Sequence, residues 1–298
     1  MALLQHHFTR FDEAIRLDWS NDDGLLRERR EPILERLRLG GLDVSPFSDL
    51  GLDVGLIFAI DRSAWPNPVA LKQRVAAALS GYAVEIRRPC LRVRLQGDGP
   101  RHHVDLSLYR PSPIADGLFE LAVGKVGDGT RLRGWRTTNP HALGAVIDQR
   151  FPDLEDRAQL RRIVRALKRW KDRSFATEAH ARPTGIALTA SAIEWFSPKK
   201  AIDPATGRAE PRDLEALASV VASMVADASP RLVARLPVSP QDDTFARVSR
   251  AGMEVLHARL VALRDGLEAA LRDDEDERAS TRVRELFGDD FPRVATSP

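Results

Sequence analysis

The stretch SPFSDLGLDVGLIFAID, residues 45–61, decides the fold. Its second half, LDVGLIFAI over 52–60, is apolar on both alternating faces, which predicts a central strand buried on both sides. One carboxylate, Asp53, rides on that strand. A buried carboxylate must be paired, hydrogen-bonded or bound to a metal. Metal chemistry on such a strand wants two acids at alternate positions, and the residue two before Asp53 is Gly51.

Working outward, the flanks predict alternating helices and strands. FDEAIRL places Phe11, Ala14 and Ile15 on one helical face, and helices are expected over 8–19 and 24–39. Gly40-Gly41 ends the second of these. Asn67 is placed to cap a helix that has Pro68 at its first position and runs to about Leu79. VEIRRPCLRVRL (84–95) and RHHVDLSLYR (101–110) flank QGDGP, a hairpin signal. In the second of these runs Val104, Leu106 and Leu108 share one face, and His103, Asp105 and Ser107 share the other. Beyond residue 140 the patterns are helical, at 153–172, 186–196, 211–228, 243–272 and 276–287. The expected division is therefore 1–155, a mixed α and β core with N-terminal helices, and 156–298, a helical lobe.

Composition bounds the function. The chain has 298 residues, 43% hydrophobic and 30% charged, with a net charge of +2. That is a globular composition, and the charge balance argues against a long nucleic-acid track. No apolar run is long enough for a membrane span. The N-terminus lacks a continuous apolar core and a small-residue cleavage site, which argues against a signal peptide. Cys90 is the sole cysteine, so no intrachain disulfide forms, which fits a cytoplasmic setting.

Two sets of residues could carry chemistry. Asp53 and Asp105 both lie mid-strand. Neighbouring carboxylates repel unless a cation lies between them, and Mg²⁺ or Mn²⁺ suits an all-oxygen site. Two such ions could activate a hydroxyl and stabilise a leaving pyrophosphate. The alternative is an acid satisfied by backbone N–H groups, Arg101 or His103. The second set begins in RRIVRALKRWKD, where Ile163, Val164, Leu167 and Trp170 form a buried stripe. Arg161, Arg165 and Lys168 follow one edge, and Lys168 and Lys171 are three apart. Paired ammonium groups suit a triphosphate; a solvated basic face is the alternative. In RPTGIALT, Thr184 is placed to cap a helix whose N-terminus would favour anions.

Several pieces together resemble a known family. FDEAIRLDW, LDVGLIF, NPVALKQRVAAAL, EIRRPCLRVRL, HVDLSLY, RRIVRALKRWKD, RPTGIALT, LPVSPQDDTFARV and FGDDFP stand in the order found in the cGAS/DncV-like nucleotidyltransferases, the CD-NTases. That family makes cyclic oligonucleotide signals from NTPs in antiphage defence. The resemblance spans about residues 8–292. It implies an α+β fold, a polymerase beta-like mixed-sheet core packed against a C-terminal helical lobe. It makes Asp53 and Asp105 catalytic metal ligands for Mg²⁺ or Mn²⁺, and assigns Lys168, Lys171 and Thr184 to nucleotide binding. It also implies nucleoside triphosphates as partners, and an effector reached through the cyclic product.

The departures bear on activity. Family members carry a Gly-Ser phosphate loop and then a D-x-D pair. Here ten residues, 42–51, separate Gly41 from Leu52, and Gly51 stands where the first acid belongs. Asp49, four residues before Asp53, is too far along a straight strand to replace it. The expectation is absent or very weak catalysis, with a nucleotide-binding or partner-binding pseudoenzyme as the alternative.

Overall fold

The computed structural model describes residues 4–15, 31–42, 44–50, 53–58, 65–94, 103–139, 141–175, 180–202, 207–228, 231–238 and 241–293. Gly51, the 24–30 part of the second helix, the 96–100 turn and Arg101 lie outside the described residues. The chain forms two compact units, Met1–Leu17 with Leu143–Pro298, and Asp18–Ala142.

The unit over 18–142 is built on a seven-stranded sheet. Strands β1 (Val44–Leu50), β2 (Asp53–Phe58), β5 (His103–Pro111), β4 (Leu91–Arg94) and β3 (Ala83–Ile86) lie side by side in that order. β2 and β5 are parallel, and the other pairs among these five are antiparallel. β5 is long enough to pair with β4 through residues 103–106 and with β6 (Phe119–Val123) through 109–111; β7 (Gly134–Thr138) then pairs with β6. Helices α2 (31–39) and α3 (Pro68–Ala78) cover one face. Ile33, Leu34 and Leu37 from α2, with Leu71 and Val75 from α3, form a core with Leu91, Val93, Val104, Leu106 and Leu108. Asn67 caps α3 as its sequence requires, its side chain accepting from the Val69 N–H at 2.9 Å.

Three differences from the sequence reading have physical causes. The run 84–95 is not one strand: it turns at Arg87–Cys90, where the Arg87 N–H donates to the Cys90 carbonyl, so β3 and β4 make their own hairpin. Residues 44–50 are not a bare connector. They form β1 and fold back antiparallel onto β2, with Pro46 opposite Leu56. Among the described residues β1 pairs only with β2, and such an edge tolerates proline. β6 and β7 carry too short an alternation to be read from sequence.

The second unit is helical: α1 (Gln5–Ile15), α4 (Ala142–Arg150), α5 (Leu154–Ser174), α6 (Gly185–Trp195), α7 (Asp213–Asp227), α8 (Arg250–Arg272) and α9 (Asp276–Phe287), with a small hairpin of β8 (Lys200–Ile202) and β9 (Ala209–Pro211). α8 begins at Arg250, later than the pattern from 243 suggested, because Ser249 caps it by accepting from the Gly252 N–H. α1 was grouped by sequence with the 1–155 core, but it belongs to this unit. Phe8 and Phe11 are fully buried there, and the Phe11 ring lies 5.3 Å from both Phe287 and Phe291. Burying two such side chains outweighs sequence proximity.

Candidate active site

The sheet brings Asp53 and Asp105 together. They are paired in register on the parallel strands β2 and β5, which sets their backbones about 4.8 Å apart. Asp105 sits on the face opposite Val104, Leu106 and Leu108, as its alternation requires. β1 also brings in Asp49. Its neighbour Leu50 pairs with Asp53, and the register shifts between Ser48 and Leu50. The sequence objection to Asp49 assumed one straight strand; the hairpin reversal carries it near Asp53 by another route.

The cation beside Asp105 is an arginine. Arg92 is the cross-strand partner of Asp105 on β4. Its Nε donates to Oδ1 at 2.7 Å and its Nη2 to Oδ2 at 2.6 Å. Both side chains are largely shielded, at 21% exposure for Arg92 and 14% for Asp105. A two-point guanidinium–carboxylate fork is among the stronger polar contacts, and the Asp105 carboxylate holds the Arg92 guanidinium above its ordinary pKa. Sequence reasoning missed Arg92, although a signal was present: in LRVRL the arginines alternate with apolar residues, opposite the polar face of a strand that carries Asp105.

Lys72 fixes the strand that carries Arg92. Its side chain is fully buried, and Nζ donates to the carbonyls of Arg87 (2.9 Å), Arg88 (2.6 Å) and Gly124 (3.0 Å). The β3–β4 turn is thereby tied to α3 and to the chain after β6. Gly124 has φ +120°, and a Cβ there would lie 2.5 Å from the Arg133 Cβ, so glycine is required. Burial lowers the Lys72 pKa to about 8.

At Asp105 a divalent ion would share its carboxylate ligand with a guanidinium. Both oxygens of Asp105 are held by Arg92. Among the described residues no group of three or more His, Cys, Asp or Glu side chains could hold an ion.

The other predicted site residues lie in the helical unit. Thr184 caps α6, with Oγ1 accepting from the Ala187 N–H at 3.1 Å. A Cβ on Gly185 would lie 3.5 Å from Lys168 Cε, so Lys168 lies against the first turn of α6. Lys171 is ion-paired with Asp172 at 3.1 Å. The basic run on α5 is only in part a solvated face: Arg161 and Arg173 are exposed, whereas three other arginines are answered by acids. Arg162 forks onto Asp213, Arg165 onto Asp12 and Arg169 pairs with Asp290, so acids from α7, α1 and the segment after α9 answer it.

The chain combines a mixed sheet, with Asp53 and Asp105 in register on adjacent parallel strands, and a helical unit, and it shares its fold with solved nucleotidyltransferases. The comparisons give the particular form, the CD-NTase fold. The chain is similar in structure to CdnC of E. coli MS115-1, solved with ATP, with a TM-score of 0.64 at 15% identity over 97% of this chain and 98% of that one. It is similar to CdnG of Bradyrhizobium diazoefficiens, a CD-NTase solved with GTP, with a TM-score of 0.61 at 19% identity over 94% of this chain and 98% of that one. For the GTP-bound form of Vibrio cholerae DncV the TM-score is 0.58 at 16% identity, over 81% of this chain and 62% of that one. No protein-family model and no curated protein matches the sequence.

Proposed function

We propose that this chain is a nucleotide-binding protein built on the fold of the cyclic-oligonucleotide synthases, with absent or very weak nucleotidyl transfer. The observation that carries this reading is the register pairing of Asp53 with Asp105 directly after a strand, β1, that fills the interval where a phosphate loop would lie. Acids at this place speak for nucleotide chemistry, and the filled interval speaks against its completion. A loop of backbone N–H groups at a helix N-terminus clamps phosphates in such enzymes. Lys168 against the capped start of α6 supports retained nucleotide binding. Solved neighbours contain ATP or GTP, and cytoplasmic action in antiphage defence, through an effector, is part of the same proposal.

Incubation with labelled NTPs and either Mg²⁺ or Mn²⁺ tests it. The expected result is no cyclic or linear product, together with saturable binding of ATP or GTP by calorimetry. A product abolished by Asp105→Ala overturns the inactive reading. Absence of nucleotide binding favours the alternative, a scaffold for a partner protein. The structure of E. coli CdnC in complex with HORMA-deltaN is a precedent for protein partners on this fold.

A further inference from the structure

We infer that Arg92 is a built-in counter-ion standing in for a divalent cation at Asp105, the register partner of Asp53, so that this carboxylate is neutralised without metal. The inference rests on the reading of that pair as the vestige of a nucleotidyltransferase acid site.

The Asp105 carboxylate lies on a strand in register with the one that carries Asp53, and a carboxylate so shielded from water needs a positive charge or hydrogen-bond donors nearby. A metal would supply it reversibly, whereas a guanidinium supplies it permanently and in a fixed geometry. Arg92 meets Asp105 through two nitrogens and two oxygens. It contrasts with Arg87–Glu85 on the same hairpin, a single contact at 3.1 Å with both side chains well exposed. Arg92 is also held from swinging away. Its neighbours Leu91 and Val93 are wholly buried, and the turn before them is tied down by Lys72. An ion arriving at Asp105 must therefore displace a charge anchored in the core, and one less carboxylate lobe is open to it.

The test is a titration of the full chain with Mn²⁺, following the electron paramagnetic resonance signal of the free ion. The wild type should show no saturable uptake up to about 1 mM, the weak end of protein sites for hard cations. Arg92→Gln should gain a site at least about tenfold tighter, the usual scale on which a neighbour of a ligand tunes an ion. Arg92→Gln combined with Asp105→Asn should lose it. Saturable uptake by the wild type that Asp105→Asn removes, or failure of a folded Arg92→Gln to gain a site, overturns the inference. If Arg92→Gln does not fold, Arg92→Lys carries the test, since it keeps the charge but not the fork. It should bind Mn²⁺ more tightly than wild type, and equal behaviour of the two overturns the assignment. No nucleotide is present in these titrations. Failure of ATP to bind therefore strikes the functional reading alone, and wild-type Mn²⁺ uptake strikes this one alone.

Discussion

Replacing Lys72 by Met removes a buried ammonium and keeps the apolar stem, so it isolates the polar contribution. Three carbonyls lose a donor, those of Arg87, Arg88 and Gly124. Only the Arg88 carbonyl keeps another named donor, the Gly124 N–H at 2.9 Å. Hydrogen bonds to a charged group contribute about 1.5–3 kcal/mol each, so the three together stabilise by about 5–9 kcal/mol. Against this stands the cost of burying the charge, which lowers its pKa from 10.5 to about 8; a shift of that size corresponds to about 3 kcal/mol. The variant should lose about 2–6 kcal/mol in urea unfolding, with faster amide exchange in peptides covering 68–94. The pH dependence gives a second reading. The native lysine releases its proton at a lower pH than the unfolded one, so between about pH 8 and 10.5 the native state binds fewer protons. Lys72's own contribution to stability therefore rises with pH across that window, by at most about 1.4 kcal/mol per unit, and the methionine variant lacks this slope. A loss under about 1 kcal/mol, or the same slope in both proteins, would refute the reasoning.

Two other substitutions probe the helical unit. Asp213→Ala strips the partner from Arg162 (2.6 Å), Gln5 (2.9 Å) and Gln159 (3.1 Å) around a fully buried carboxylate, and should cost about 3–5 kcal/mol in urea unfolding, as breaking a buried ion pair does. Thr184→Ala removes the cap of α6 and should cost about 1 kcal/mol, read as a lowered urea midpoint with an unchanged slope.

The sequence made legible those features that depend on near neighbours. Pro68 behind Asn67 marked the start of α3, Thr184 marked that of α6, and alternation set the two faces of β5 correctly. That Asp105 could lie beside the strand of Asp53 was legible, but their register was not, because the hairpin pattern sets β5 against β4 and leaves its pairing with β2 open. Features that depend on distant residues were hidden. Nothing near Phe11 announces Phe287 or Phe291, so α1 was grouped with the wrong neighbours. The arginines of α5 looked solvated because their acids, Asp12, Asp213 and Asp290, lie at least 40 positions away along the chain. Pro46 and two serines disguised β1, since an edge strand needs little of the apolar pattern that marks a central one. Arg92 was in plain view but had no assigned role, because a cross-strand pair exists only once register is known.

The clasp of α1 onto Phe287 and Phe291 also imposes an order on synthesis. A ribosome adding roughly 5–20 residues per second makes Phe291 about 15–60 s after Phe11. The sheet unit, contiguous over 18–142, emerges whole within that interval. The helical unit cannot close until its last turn has left the tunnel. Until then Phe8 and Phe11 lack the rings of Phe287 and Phe291, and the nascent chain carries an amphipathic helix whose apolar face is suited to capture by a chaperone.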